Sequence, residues 1–383
     1  MLLSVLPRYL IKIIPLALCA LLLSWTTAAR SQEIIVGQSA PLSGAMASTG
    51  KDMVLGGEIY FDYINSMGGI NGHKIRHVVI DDGGDADRTL AATKRLINNE
   101  HAIVLFGYAG MDNLLLLLKD NILSDAKIAL VGPYTGVEPL RTPYNANLFH
   151  IRAGYADETK SIATQLSING ITRVAVMYQD DAFGKSGLHD ALVSLAAHKI
   201  TPIVSSSYPK NTAEVSAAVT KIAAVTPQAV ILISANRSSA AFIHAFRALG
   251  QTAIIFTISV VNPDILVKLT GASDIRGLRI TQVVPDPITG VIPAAVEYRK
   301  LMKQYANGVP LSYTSFEEYL AAKVVVEGVR RSASINRASI LNGLESIDHY
   351  DLGGFIVNYG KNNRCGSAYV DTVIVAKNGE IMR

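Results

Sequence analysis

Between about residue 33 and residue 284, short apolar runs alternate with longer segments in which apolar side chains recur every three to four residues. The short runs predict buried β-strands and the longer segments predict amphipathic helices. Gly, Pro, Ser and Asn stand between them, where turns and helix ends favour these residues. Strands that alternate with helices of about 10–15 residues are typical of parallel sheets covered by helices on both faces. The pattern therefore predicts an α/β protein.

The predicted elements fall into two series that meet near His150, which indicates two lobes. The predicted strands are residues 33–38, 75–80, 102–106 and 128–131 in the first series and 173–178, 229–233, 253–257 and 278–284 in the second. The predicted helices are residues 51–66, 85–99 and a segment around 114–118, followed by 184–198, 213–224 and 237–249. Asp85 is placed to cap the helix that begins there.

After residue 284 the pattern changes. Residues 294–305 and 315–331 predict two helices, and residues 355–376 predict a β-rich tail. The first series has too few helices to cover both faces of its sheet, so the late helices are expected to complete it. We therefore expect the chain to cross between its lobes more than once.

The N-terminal residues 1–31 have the composition of a secretory signal. Arg8 and Lys12 precede a short apolar run, which small residues follow up to Ala29. A positive flank, a short apolar core and a small-residue exit predict a signal peptide that is cleaved near Ala29 to Ser31. The apolar run is shorter than a transmembrane helix requires.

The two cysteines cannot form a disulfide within the cleaved chain, because Cys19 lies inside the predicted signal peptide. Lipidation of Cys19 is the alternative to this cleavage, but a lipoprotein signal has a small residue where Leu18 stands. Cys365 remains in the cleaved chain and is expected to be a packed, inert thiol.

Length and charge limit the possible functions. A chain of 383 residues exceeds what one hydrophobic core usually serves, which again favours two lobes. Charged residues make up 17% of the chain, below the usual quarter, and the formal net charge of +4 is spread along the sequence. Because no block of Lys or Arg stands out, nucleic acids and anionic membrane surfaces are not expected as partners.

The chain contains no assembled catalytic motif. Gly184-Lys185-Ser186 matches the end of a phosphate-binding loop, but Gln179 stands where that loop requires its first glycine. No G-x-S-x-G segment is present, and no G-x-G-x-x-G segment follows the first strand. His73 and His77 lie on a turn and a strand, where their spacing does not converge on a metal. We expect a binding protein without cofactor or metal, and not an enzyme.

Five loops that follow predicted strands share small residues, hydroxyl groups and tyrosines: residues 40–44, 107–110, 132–136, 179–184 and 234–238. In open parallel sheets, ligands bind beyond the carboxyl ends of the strands. Small residues let backbone N–H groups approach an anion, and tyrosines add a flat apolar face with one hydroxyl. The loops therefore favour a small carboxylated ligand, although tight turns also select Gly and Ser on their own account.

Several of these segments resemble, in order, the leucine/isoleucine/valine-binding family of periplasmic receptors for ABC importers. They are residues 40–44 (APLSG), 68–72 (GGING) followed by Asp81-Asp82, 132–136 (GPYTG) and 178–184 (YQDDAFG). The resemblance spans the whole cleaved chain. It implies a type I periplasmic binding fold, in which two Rossmann-like lobes with parallel sheets are joined by three crossovers and close on a ligand. The implied partner is the permease of an ABC importer, and the implied state is a periplasmic monomer.

The resemblance also implies where the lobes divide. The three crossovers fall near residues 151–152, 283–284 and 350–355. Residues 33–151 plus 285–350 would then form the first lobe, and residues 152–284 plus 351–383 the second.

The loops and the resemblance together indicate twelve ligand contacts. In the first lobe they are Ser43, Tyr108, Ala109, Gly110, Met111, Tyr134 and Thr135. In the second lobe they are Tyr155, Asp181, Phe183, Asn236 and Arg237. The family's loop that matches residues 108–111 usually supplies serines, so here only its backbone groups remain. Arg237 begins a predicted helix and is placed to bind an anionic ligand.

The sequence leaves two ligand classes open. In the family an acidic residue commonly pairs with the ligand's ammonium, and Ser259-Val260 occupies that place here. A buried ammonium without a carboxylate is costly, so Asp157 or Asp181 would have to replace the acid unless each only caps a helix. The ligand is then a branched-chain or related amino acid, or a non-amino carboxylate such as an aromatic or 2-oxo acid. A sensor for a regulator is a further alternative, which the neighbouring genes would distinguish from import.

Overall fold

The computed structural model describes residues 32–382, so the predicted signal peptide lies outside the described residues. The elements up to residue 149 are β1 (Ile34–Ala40), α1 (Ala47–Ser66), β2 (Ile75–Asp81), α2 (Ala86–Asn98), β3 (Val104–Phe106), α3 (Met111–Lys119), α4 (Ile122–Asp125), β4 (Leu130–Val131) and β5 (Leu148–Phe149). The strands predicted in this part are confirmed. The predicted cap is confirmed as well, since the Asp85 carboxylate accepts a hydrogen bond from the Arg88 N–H at 2.9 Å.

The first sheet has the strand order β2-β1-β3-β4-β5, and all its strands run parallel. The central strands β3 and β4 are buried along their whole length, as expected where helices cover both faces of a sheet. The edge strand β5 has two residues, too few for an apolar pattern to indicate a strand. Because the strands are parallel, their carboxyl ends lie together at one edge of the sheet.

The second part of the chain has the same alternation. Its elements are α5 (Tyr155–Ile168), β6 (Val174–Asp180), α6 (Ala182–Ala197), β7 (Val204–Pro209), α7 (Ser216–Ala223), β8 (Ala229–Ile233), α8 (Asn236–Ala248), β9 (Ile254–Thr257), α9 (Pro263–Thr270) and β10 (Arg279–Gln282). The last part contains α10 (Pro293–Tyr305), α11 (Tyr313–Arg331), α12 (Arg337–Glu345), β11 (Tyr350–Asp351), β12 (Ile356–Val357), β13 (Asp371–Val375) and β14 (Ile381–Met382).

The second sheet has the order β14-β13-β10-β9-β8-β6-β7. Strands β6 to β10 are parallel, while β13 runs antiparallel to β10 and β14 antiparallel to β13. The tail of the chain therefore returns to this sheet and extends it. β11 and β12 form a separate two-stranded ribbon.

Several of the described elements were not predicted from the sequence, among them α5, β7, α9 and α12. β7 lies at the edge of the second sheet and contains three serines, so its apolar alternation is weak. α9 carries a recognisable start, in which Asn262 caps the helix and Pro263 opens it. It is only eight residues long, and so short a helix gives no clear period.

The late helices complete the first half of the molecule, as the sequence predicted. α11 is buried along most of its length, and its buried residues include Glu317 and Glu318 as well as its apolar side chains. It packs against α1 so closely that a Cβ on Gly56 would lie 2.2 Å from the Ser315 carbonyl oxygen. This distance shows why glycine is needed there.

The chain passes three times between the first sheet with its helices and the second sheet with its helices. The first passage lies between β5 and α5, the second between β10 and α10, and the third between α12 and β13. The second sheet is therefore built from two stretches of sequence, whereas the strands of the first sheet all come from residues 34–149 and only its helices include a later stretch. Within residues 32–382, no helix is long and apolar enough to cross a lipid bilayer.

Candidate functional site

A cleft lies where the carboxyl ends of the two parallel sheets face each other. It encloses about 1020 Å³, part of which is open to solvent, and both sheets contribute loops to its walls. Ligand pockets in proteins commonly have volumes of about 300–1,000 Å³, and in open α/β sheets they lie at this edge. The cleft is therefore the candidate ligand site of the protein.

Most of the predicted contacts meet in this cleft. The structure brings together Gly110, Met111, Tyr134, Thr135, Tyr155, Asp181, Phe183, Asn236 and Arg237 along its walls. They come from strand ends and helix starts that are far apart in the sequence. The parallel strands of each sheet end at one edge, and the two edges face each other across the cleft.

Three predicted contacts do not line the cleft, and this corrects the sequence-based assignment. The Ser43 hydroxyl donates to the Asp81 carboxylate at 2.7 Å, which holds it in its own loop. The Tyr108 side chain points into the core, where the Thr93 hydroxyl donates to its OH at 3.2 Å. Ala109 is buried and its backbone pairs with Tyr134.

The structure adds lining residues that the sequence did not indicate. Residues 210–212 follow β7, and because β7 was not predicted, the loop after it was not assigned to the site. The other additions are Ala45, Met46, Thr49, Gly84, Asp112, Asn113, Gln179, Ala235, Ser238 and Val260. The change from serines to Pro209-Lys210-Asn211 is a strand-end signal that could have located this loop.

Two helix N-termini with free backbone donors open onto the cleft. α3 begins at Met111 after Gly110, and α8 begins at Asn236 after Ala235; neither helix has a side-chain cap. The first N–H groups of a helix have no partner within the helix, and the N-terminal end carries partial positive charge. These two ends therefore favour an anionic group between the lobes.

Apolar and aromatic side chains form much of the remaining wall. The Tyr155 and Phe183 rings meet edge to face, with centroids 5.6 Å apart. The Tyr134 hydroxyl is engaged with the Thr314 hydroxyl at 3.0 Å, so its ring is the part that remains for the cleft. Val260 and Met111 add aliphatic surface. This composition suits a ligand with an apolar or aromatic body.

A chain of hydrogen bonds fixes the polar groups of the second-sheet wall. The Ser238 hydroxyl donates to the Tyr208 OH at 2.8 Å, which donates to Gln179 Oε1 at 3.0 Å. Gln179 Nε2 in turn donates to Asp181 Oδ2 at 2.7 Å. Asp181 Oδ1 accepts from the Gly184 N–H at 2.9 Å and thereby caps α6. Both oxygens of this carboxylate are thus engaged within the protein.

One ion pair spans the cleft. The Lys210 ammonium, just after β7 of the second sheet, pairs with the Asp112 carboxylate in the first turn of α3 on the first sheet. Its Nζ also lies 3.9 Å from Asp181 Oδ2. Asp157, the other acid considered from the sequence, accepts from the Gly154 N–H at 3.0 Å and lies outside the cleft lining.

Arg237 is the cation of the cleft that is free to bind a ligand. Its side chain is exposed at the start of α8 and has no hydrogen bond or ion pair with any residue that the structure describes. Beside it, Asn236 Oδ1 accepts from the Asn262 N–H at 2.7 Å, which leaves its amide nitrogen to donate. A guanidinium and an amide N–H₂ next to a helix N-terminus form a cradle for a carboxylate.

A buried charge network lies beneath the cleft, where the chain passes from β5 to α5. The Arg152 guanidinium is 3.6 Å from a Glu158 oxygen on α5 and 3.5 Å from a Glu317 oxygen on α11. It also lies over the Tyr134 ring, 4.9 Å from the centroid. Burial raises the pKa of the Glu317 carboxyl to about 7, although the attraction of Arg152 opposes this shift. The network links helices of both sheets to the floor of the cleft.

Ser259, which occupies the place of the family's acidic residue, takes part in this network. The Ser259 N–H and hydroxyl each donate to the Glu158 carboxylate at 2.8 Å. Val260, its neighbour, lines the cleft with an aliphatic side chain. In residues 32–382, no group of three or more His, Cys, Asp or Glu side chains is placed to hold a metal ion.

Comparison with known proteins places the chain among binding proteins. A sequence model of a family described as periplasmic binding protein matches residues 33–378. A relative from Brucella suis biovar 1, named Leu/Ile/Val-binding protein homolog 7, is 25% identical over 368 residues, which cover 91% of this chain and 89% of that protein.

Solved structures have the same fold. A substrate-binding periplasmic protein from Ralstonia solanacearum is 34% identical, with a TM-score of 0.87 over 91% of this chain and 99% of that chain. The branched-chain amino acid transporter substrate-binding protein LivJ from Streptococcus pneumoniae, in complex with isoleucine, is 17% identical, with a TM-score of 0.82 over 92% and 98% of the two chains. The second of these likenesses concerns the fold alone.

Proposed function

The chain belongs to the periplasmic binding protein family and has its type I fold, and on this basis we propose that it captures a small carboxylated solute for an ABC importer. In this proposal the lobes are residues 33–151 plus 285–350 and residues 152–284 plus 351–383. The solute docks at the strand-end loops, the lobes close over it, and the permease recognises the closed form. A ligand drives closure only through its additional affinity for the closed state.

The observation that carries the proposal is the free Arg237 guanidinium beside the uncapped N-terminus of α8, with the N-terminus of α3 also open to the cleft. Three groups of donors therefore face one space between the lobes. The aromatic wall of Tyr155 and Phe183 suits the remainder of a small organic acid. The proposed cellular setting is the periplasm, with the signal peptide removed near Ala29 to Ser31 and the receptor acting as a monomer.

Two ligand classes fit this site. Branched-chain and related amino acids present the required carboxylate, and so do their deaminated counterparts and aryl acids. The aliphatic Val260 at the cleft wall favours the second class, because it cannot neutralise an ammonium.

A thermal-shift panel on the ligand-stripped mature protein tests the function, and Arg237→Ala tests the site. A ligand present at a hundred times its Kd should stabilise the wild type by about 2.7 kcal/mol. Arg237→Ala should weaken binding of the same ligand by about 1.5–3 kcal/mol, because a charge-assisted hydrogen bond is lost. Titration calorimetry measures the loss directly.

Arg95→Ala is the matched control, since Arg95 lies on α2 outside the cleft lining and its side chain is 65% exposed. This variant should bind like the wild type. If Arg237→Ala also binds like the wild type, Arg237 is not a ligand contact. If no amino acid or organic acid shifts the wild type, the proposed function is wrong.

A further inference from the structure

One side chain that lines the cleft, that of Lys210, carries an ammonium group. Among the residues that line the cleft, the acids are Asp112 and Asp181. The Lys210 ammonium is paired directly with Asp112 and lies 3.9 Å from Asp181. We propose, as an extension of the proposed function, that Lys210 excludes ligands that carry an ammonium and so restricts the site to non-amino carboxylates.

Both acids that line the cleft already have partners within the protein. Asp181 already accepts hydrogen bonds at both oxygens, from Gly184 and from Gln179, and its side chain is only 10% exposed. Its remaining electrostatic partner is Lys210. Asp112 is committed to the same ammonium. Neither carboxylate is therefore left for a cation that arrives with the ligand.

An amino acid therefore binds in this cleft at an additional cost. An ammonium that enters the closed cleft loses water and needs a carboxylate in exchange. It would obtain one only by displacing Lys210, which would then lose its own partner on closure. A deaminated acid avoids this exchange, because its carboxylate meets Arg237 and the helix ends while its body meets Tyr155, Phe183 and Val260. The difference acts against every ligand with an ammonium, whatever its side chain.

The ion pair of Lys210 and Asp112 joins the two walls of the cleft. Lys210 follows β7 of the second sheet and Asp112 belongs to α3 of the first, so their contact requires the two walls to be close. Both side chains remain partly exposed, at 41% and 37%, which places the pair near the mouth of the cleft. Closure therefore brings Lys210 to Asp112 at the same time as it encloses the ligand, while Asp181 lies on the same wall as Lys210. The Lys210 ammonium therefore lies beside Asp112 and Asp181 when the cleft closes on a ligand.

The test compares Lys210→Met with the wild type, using the full mature chain and matched pairs of probes. The pairs are L-leucine with 4-methyl-2-oxopentanoate and L-phenylalanine with phenylpyruvate, measured by titration calorimetry. The wild type should bind at least one deaminated acid ten times or more tightly than its amino acid. Lys210→Met frees Asp112 and Asp181, so this ratio should fall at least tenfold, chiefly because the amino acid binds better.

Lys185→Met is the matched control. Lys185 pairs with Asp180 at 2.9 Å, but both side chains are more than half exposed and neither lines the cleft. Removing it changes the charge of the protein by the same amount and should leave the ratio unchanged. Lys210→Gln provides a second variant, which retains a polar side chain without the charge and should act like Lys210→Met.

The outcomes separate this proposal from the function on which it rests. If the wild type binds amino acids as tightly as deaminated acids, the exclusion is wrong and solute capture stands. If the wild type prefers deaminated acids but both Lys210 variants keep the ratio, Lys210 is not the cause and the assignment is overturned. If neither these probes nor any acid of the thermal-shift panel binds, the proposed function itself fails.

Discussion

Replacing Arg152 with Met is expected to lower the free energy of unfolding by about 3–5 kcal/mol at pH 8. The guanidinium is fully buried, and it is the cation within 4 Å of the Glu158 and Glu317 carboxylates. Methionine fills the space but leaves two buried acids without their counter-charge. Burying an unpaired charge is more costly than the whole ion pair contributes, which is why removing one partner has so large an effect.

The loss should depend on pH in a defined direction. Burial already raises the pKa of Glu317 to about 7, and removing Arg152 raises it further, together with the pKa of Glu158. A carboxyl whose folded pKa lies above its unfolded value contributes stability that is present at low pH and lost as the pH rises through the folded pKa. The deficit of the variant should therefore be small at pH 5 and largest above pH 7. Urea unfolding at pH 5, 6.5 and 8 measures it.

Arg95→Met is the control for this experiment. Arg95 also faces a carboxylate, that of Glu100 at 3.5 Å, but its side chain is 65% exposed. A surface pair contributes little, so this variant should stay within about 0.5 kcal/mol of the wild type. A loss of unfolding free energy below 1 kcal/mol for Arg152→Met at pH 8, or a loss that does not change with pH, would show that the charge network of Arg152 does not stabilise the fold in this way.

The pattern of the sequence predicts the cleft because of a property of parallel sheets. Every parallel strand of such a sheet ends at the same edge, so loops of one sheet, such as those that carry Gly110 and Thr135, must meet once the strands are recognised. That Phe183, which follows β6 of the second sheet, faces them follows from the arrangement of the two lobes, which only the family resemblance implied. The residue types in the loops then indicate an anionic ligand with an apolar body.

The sequence does not predict the features that depend on how side chains turn. Tyr108 lies in the same loop as Gly110, yet its ring enters the core, and nothing in the local sequence indicates this orientation. Lys210 follows a serine-rich edge strand whose pattern is too weak to locate the loop. Arg152 is close to Glu158 in the sequence. It contacts Glu317 only because of the way α11 packs, and the spacing of residues along the chain does not indicate that packing.

Gly184→Ala is expected to lower the free energy of unfolding by about 3 kcal/mol and to weaken ligand binding at least tenfold. A Cβ at this position would lie 1.9 Å from the Gln179 carbonyl oxygen and 2.6 Å from its nitrogen. Both are backbone atoms, so a side-chain rotation cannot relieve the overlap. The strand end and the start of α6 must separate instead, and this breaks the bond from the Gly184 N–H to Asp181.

The effect on binding follows from what this turn carries. Gln179, Asp181 and Phe183 all line the cleft, and a shift of the turn moves all three. Gly360→Ala is the control, because Gly360 has no positive φ and no atom within 4 Å of its added Cβ. That variant should be as stable as the wild type or about 0.4–1 kcal/mol more stable. If Gly184→Ala instead unfolds and binds like Gly360→Ala, the tight turn does not determine the shape of the second wall.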